Sequence, residues 1–267
     1  MRQKHEELFE LSMLGDAFEK RYRRMRPEVE RMPWGTLTPA KYPTEIVAAA
    51  RRSWTLSAYQ EHRTGAACAA TLEALIAARA PLDLIAVATR FPLDEMAHVE
   101  MCARIAGELG GGTPLLHNSW SLVPHPSPSL PPLLRAAELV VRVFCVGEAV
   151  SIPLLRGTWK ASSHPLLTAV LGRIVKDEAA HGRFGWVFLD WVAEFLGEDE
   201  RKHLRMIARE EIAKLETSWD NMKPKVFGVG DVNALGWMES EAYLALARRA
   251  METVVKAPLR ARGLLDG

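Results

Sequence analysis

Two blocks of one pattern occur in the chain, Asp94-Glu95-Met96-Ala97-His98 and Asp177-Glu178-Ala179-Ala180-His181. On a helix, residues three apart share a face, so each Glu–His pair can offer a carboxylate oxygen and an imidazole nitrogen to one metal ion. Either block alone is weak, because with eight histidines in the chain random placement gives about one Glu-x-x-His. A third copy, Asp199-Glu200-Arg201-Lys202-His203, has two basic residues between acid and imidazole and follows Gly197. Acids there suit a helix start, so this copy reads as a solvated first turn. The other two carry Ala and Met at those positions, with Ile174, Val175, Phe184 and Leu189 around the second, and their Glu–His faces point inward. Unpaired buried acids and imidazoles are costly, and metal coordination satisfies several of them together.

Such faces need long helices to position them. The pattern predicts an all-α fold, with helices over 44–79, 82–109, 133–160 and 166–196, followed by 199–222 and 239–255. Thr44 is the candidate N-cap of the first, Ser162 and Ser163 can cap the fourth, and Gly197 closes it. Pro92 is a possible kink in the second helix, and Pro153, five residues after Glu148, should bulge or kink the third. Residues 113–132 hold six prolines and read as a crossover running the length of a bundle; 223–238 read as a Gly- and Val-containing loop, and nothing reads as a sheet. Three units follow: an N-terminal arm over 1–43, a four-helix bundle over 44–197, and C-terminal helices over 198–267 packed on the bundle.

At about 1.5 Å per residue, Glu61 on the first helix falls within a turn or two of Glu95 and His98, and Glu148 on the third falls level with Glu178. Both Glu61 and Glu148 lie among apolar or small residues. Six candidate ligands therefore converge: Glu61, Glu95, His98, Glu148, Glu178 and His181. Four carboxylates balance two divalent cations, and some can bridge them.

In order, spacing and both Asp-Glu-x-x-His blocks, residues 44–197 resemble the ferritin-like di-iron or di-manganese carboxylate superfamily, in which two helices each give a Glu and two others each give Glu-x-x-His. The layout is loosely similar to the p-aminobenzoate N-oxygenase group, which has an additional histidine one turn before the last Glu where this chain has Ile174. Several relatives also have an Arg before each His, where this chain has Ala97 and Ala180. The resemblance implies a ferritin-like bundle with a long crossover, holding two iron ions, or Mn/Fe or Mn/Mn pairs. It implies O2 as co-substrate, a reductase or ferredoxin as electron donor, and oxidation of a small organic substrate, such as hydroxylation or N-oxygenation. By the same resemblance Asp94 orients His181 and Asp177 orients His98. The substrate pocket is expected between the first and third helices, lined by Ser57, Thr64, Phe144, Cys145, Ser151 and Ile152. The alternative is a ferroxidase or bacterioferritin-like iron-handling protein without organic substrate. A third reading, a structural bundle, pairs the acids with arginines such as Arg63, Arg90 or Arg173.

Lys plus Arg number 34 against 33 for Asp plus Glu, giving a net charge of +1 and no electrostatic reason to expect nucleic acid or a membrane surface as partner. No apolar run approaches the roughly 18 residues of a membrane span. Met1–Glu7 is charged with no apolar block after it, so a signal peptide is not expected and a cytoplasmic location follows. Cys68, Cys102 and Cys145 read as buried thiols, and the absence of Cys-x-x-Cys excludes a zinc ribbon or rubredoxin-like site. His62 points away from Glu61, while His117, His125 and His164 read as solvated. Exposed apolar faces on paired helices suggest a homodimer.

Overall fold

The computed structural model describes residues 6–222 and 227–266. Residues 1–5, on which most of the leader reading rests, and 223–226 of the expected loop lie outside them. The arm contains strand β1 (Glu7–Leu8) and helices α1 (Asp16–Arg24) and α2 (Pro27–Glu30). There follow α3 (Thr44–Ala77), α4 (Leu82–Ala88), α5 (Phe91–Glu108), strand β2 (Leu116–His117) and α6 (Pro132–Val140). A π-helical segment (Val141–Glu148) joins α6 to α7 (Ala149–Ala161), and α8 (Pro165–Val192) completes the long elements. Beyond it lie α9 (Glu198–Asp220), α10 (Val229–Ala234), α11 (Ser240–Ala250), a second π-helical segment (Met251–Lys256) and α12 (Ala257–Ala261). Helix α3 packs along α5 and α6, α7 packs along α8, and both α5 and α6 meet α8. The all-α expectation holds, and among the described residues no helix is long and apolar enough to cross a membrane.

Several boundaries differ from expectation for identifiable reasons. The stretch 82–109 is two helices, and Pro92 lies in the first turn of α5, where its missing N–H has no intrahelical acceptor to lose. Thr44 is already helical with Pro43 at the cap position, and His164 rather than a serine caps α8, its Nδ1 accepting from the Leu166 N–H at 3.2 Å. Helix α8 stops at Val192, and Gly197 is the cap residue of α9. Part of the expected 223–238 loop is the short α10.

The third helix is bulged rather than uniformly α. Pro153 has no N–H for the Ala149 carbonyl and its ring crowds that oxygen. The turns before it are wound at i→i+5 spacing, the Ala149 N–H reaching the Phe144 carbonyl. A second π segment likewise ends two residues before Pro258.

A two-residue antiparallel ladder, too short to leave an alternating pattern, sets Glu7 opposite His117 and Leu8 opposite Leu116. It ties the arm to the crossover. Farther along the arm, Arg26 is buried against Glu100 of α5, and Arg104 of the same helix pairs with Glu30 at 3.3 Å while stacking on Trp34.

The apolar interior forms two clusters. One includes Cys68, Phe91, Phe144 and Phe184, the other Ala58, Met101, Cys102 and Ile174. Buried acids and histidines of α5, α8 and the π segment lie between them. Helix α8 approaches the bulge closely at two glycines: a Cβ at Gly185 would lie 2.7 Å from Cys145 Sγ and 3.2 Å from its backbone nitrogen, and one at Gly182 would strike Ile152. Gly185→Ala should therefore destabilise the chain by about 1–3 kcal/mol, seen as a lowered Tm by circular dichroism.

Candidate metal centre

Helix α5 presents Glu95 and His98 one turn apart, and α8 presents Glu178 and His181 in the same way. Glu61 comes from mid-α3 and Glu148 from the last residue of the π segment. The structure brings all six together as two overlapping quartets, Glu61, Glu95, His98 and Glu178, and Glu95, Glu148, Glu178 and His181, each with ligand atoms within 4.8 Å of one another. His98 Nδ1 lies 3.6 Å from both Glu61 Oε2 and Glu95 Oε2, and 3.3 Å from Glu178 Oε1. His181 Nδ1 lies 3.1 Å from Glu95 Oε1, 3.0 Å from Glu178 Oε2 and 4.0 Å from Glu148 Oε1. Glu95 and Glu178 thus give one oxygen to each quartet, while Glu61 and Glu148 each serve one.

These close approaches are not hydrogen bonds. His98 Nδ1, His181 Nδ1, both oxygens of Glu95 and Oε2 of Glu178 are buried without a hydrogen-bond partner. Each such orphan costs about 1–3 kcal/mol, more when charged. The atoms point toward shared points rather than at one another, and a cation there would satisfy them together. The cluster can hold a metal ion.

Electrostatics give the same picture. Burial, with the neighbouring glutamates, pushes the Glu61 carboxyl up to about 8 and Glu148 well above the usual carboxylate range. Burial would also raise Glu178, but the two imidazoles hold it below its ordinary value. His181 is raised to about 12, and His98 well above its usual value, because surrounding carboxylates outweigh burial. The raised groups face the same points that a cation would occupy.

His98 turns its other nitrogen to a hydrogen bond with an aspartate on the opposite helix, whereas the expected bond between His181 and Asp94 is not formed. His98 Nε2 is 3.2 Å from Asp177 Oδ2, and His181 Nε2 is 3.8 Å from Asp94 Oδ2. An Nε2–H held by Asp177 leaves the His98 Nδ1 lone pair facing the cluster, whereas His181 Nε2 is buried without a hydrogen-bond partner. Sequence reasoning missed what holds the aspartates. Arg90 Nε reaches Asp94 at 2.8 Å and its NH2 reaches Asp177 at 3.4 Å, while Arg173 pairs with Asp177 and with Glu28 of α2. The signal was present: each block is preceded by an Arg four residues before its Asp, one helical turn away. Arg90 and Arg173 thus pair with aspartates and Arg63 bonds Gln60, so none of the three partners the four glutamates as the structural-bundle reading requires.

No protein-family model matches this chain, and no curated protein does.

Glu61, Glu148 and Glu178 open onto a cavity of about 710 Å³ between α3 and α7. Ser57, Thr64 and Ser151 line it as expected; Phe144, Cys145 and Ile152 do not. Uniform α spacing puts Phe144 and Ile152 one turn either side of Glu148, but in the π segment the residue beneath Glu148 is five back, and Val143 takes that wall. Phe144 instead packs with Phe91 and Phe184, Cys145 meets Gly185, and Ile152 meets Gly182. The Ser151 hydroxyl lies 3.0 Å from the Glu148 carbonyl oxygen and 3.3 Å from its Oε2, holding that carboxylate at the cavity wall.

His203 is outside the cluster but not solvated, since its Nε2 lies 2.8 Å from buried Glu138. His117 is largely buried against Phe9 and Tyr59. The three cysteines are buried and free, and burial raises the thiol pKa of each. Glu148→Ala should halve metal bound per chain with the helical signal intact, whereas Glu95→Ala or Glu178→Ala should impair both positions. Elemental analysis after loading reads the difference, and His203→Ala should leave metal content unchanged.

Proposed function

We propose that this chain is an O2-activating non-heme dinuclear iron oxidase or oxygenase built on a ferritin-like four-helix bundle and acting on a small organic molecule. The observation that carries the reading is the pair of buried quartets sharing Glu95 and Glu178, with unpartnered ligand atoms, opening onto a cavity large enough for a substrate. Two iron ions, with manganese as the substitute, would supply the reducing electrons for O2 and the oxidising power delivered to the substrate.

The chain's own residues set the conditions for that chemistry. Glu61 and His98 would hold one ion and Glu148 and His181 the other, with Glu95 and Glu178 offering an oxygen to each. Asp177 fixes the His98 ring through Nε2, and Asp94 lies 3.8 Å from His181 Nε2. Ser151 steadies Glu148 at the wall facing the substrate. Phe91, whose ring centroid is 4.3 Å from that of His181, and Phe144 keep the opposite side dry. Ile174, buried and on the cavity wall, gives an apolar surface where the p-aminobenzoate N-oxygenase group has a histidine. An external reductase or ferredoxin is the proposed electron donor. The cavity favours an organic substrate over iron handling alone, which needs only a path for the ion.

Anaerobic loading with Fe(II), followed by absorbance on mixing with O2, tests the proposal. The expected outcome is about two irons per chain and a transient visible band; no bound iron or manganese with the helical signal intact would overturn it.

A further inference from the structure

The cavity has unlike walls. Its α3 side is the more polar, with Ser53, Ser57, Gln60, Arg63 and Thr64 beside Trp54 and Leu56, while the π segment and α7 contribute Val143, Val150, Leu154 and Leu155 beside Ser151 and Thr158. Helices α3 and α6 pack closely and the groove lies farther along, beside α7. From Glu148 to Thr158 it follows α7 for about 15 Å at ~1.5 Å per residue. That end is bounded by Trp54, Leu171 and Trp237. Trp54 donates its indole N–H to the Leu235 carbonyl at 2.9 Å, anchoring the loop there.

Two cationic side chains line the groove among the described residues. Arg142 is tied to Glu138, Glu210 and Glu211. Arg63, half-buried, has no carboxylate partner among the described residues; its NH1 bonds the neutral Gln60 side chain at 2.9 Å, and its guanidinium carbon lies 6.0 Å from the Tyr59 ring centroid. Once the glutamates' charge is taken by cations, the unmatched charge on the walls is one guanidinium, whose planar fork suits a carboxylate.

We infer that the groove binds an elongated aliphatic carboxylate of about ten carbons, its head on Arg63 and Gln60 and its tail along α7 toward Trp54 and Trp237. The charged Arg142–Glu211 end is the wrong surface for the tail. Arg63 and Glu61 both line the groove, on opposite flanks of α3 and about 3 Å apart in height. The inference rests on the proposed oxidase reading only in treating the glutamate charge as neutralised.

Calorimetric titration of the full chain, metal-free and Fe(II)-loaded, with decanoate and with decan-1-ol tests this. Decanoate should bind the loaded chain more tightly than the alcohol, and Arg63→Gln should weaken decanoate about tenfold or more, the size of one charge-assisted contact, with little change for the alcohol. Leu155→Trp, checked for folding by circular dichroism, should weaken both. No decanoate binding by the loaded chain, equal affinity for acid and alcohol, an unchanged Arg63→Gln, or an unchanged folded Leu155→Trp would each overturn the inference. Measured metal content separates the two ideas. Iron uptake without decanoate binding removes the substrate class and leaves the oxidase reading, whereas Arg63-dependent decanoate binding without iron uptake does the reverse.

Discussion

Four carboxylates and two imidazoles are held in one small, dry volume, and the rest of the structure is arranged around that cost. Anions so close repel, and burial removes the water that would screen them. What makes the grouping tolerable is that the atoms face common points and that the histidines are braced from behind. The long helices keep the backbone rigid at each point of attachment. The aromatic packing of Phe91, Phe144 and Phe184 excludes solvent from one side, so the site communicates with the outside through the α3–α7 groove.

Much of this was legible in the chain because it rests on local periodicity. Residues three apart on a helix share a face whatever the tertiary context, so the two Glu-x-x-His pairs and their inward orientation could be read from the letters. Glu61 and Glu148 followed from helix heights. Crossing of the aspartates came from the family resemblance. The third Asp-Glu-x-x-His copy was rightly kept out of the cluster, although its histidine found an acid partner that only the packing of α9 on α6 supplies.

The failures have a common cause in departures from regular spacing. A proline five residues after Glu148 was readable, but not which turns would widen, and that decides whether Phe144 or Val143 faces the cavity. The break between α4 and α5 places Arg90 at the head of α5; its spacing to Asp94 was readable, but its reach to Asp177 on α8 was not. The β1–β2 ladder consists of two residue pairs and has no pattern of its own.

The two halves of the cluster look interchangeable in sequence but are mechanically unequal. Behind His98 the bracing runs through Asp177 to Arg173 and on to Glu28 in the arm, with Arg90 as a second support. Behind His181 there is no such bond: its Nε2 stands 3.8 Å from Asp94, which Arg90 alone holds, with its side chain 59% exposed. One imidazole is therefore anchored to a remote part of the chain, while the other only approaches an aspartate held by a single solvent-facing arginine. A pseudo-symmetric cradle of this kind has a stiff side and a compliant side, and the compliant side is the one sharing its cavity wall with the bulged helix.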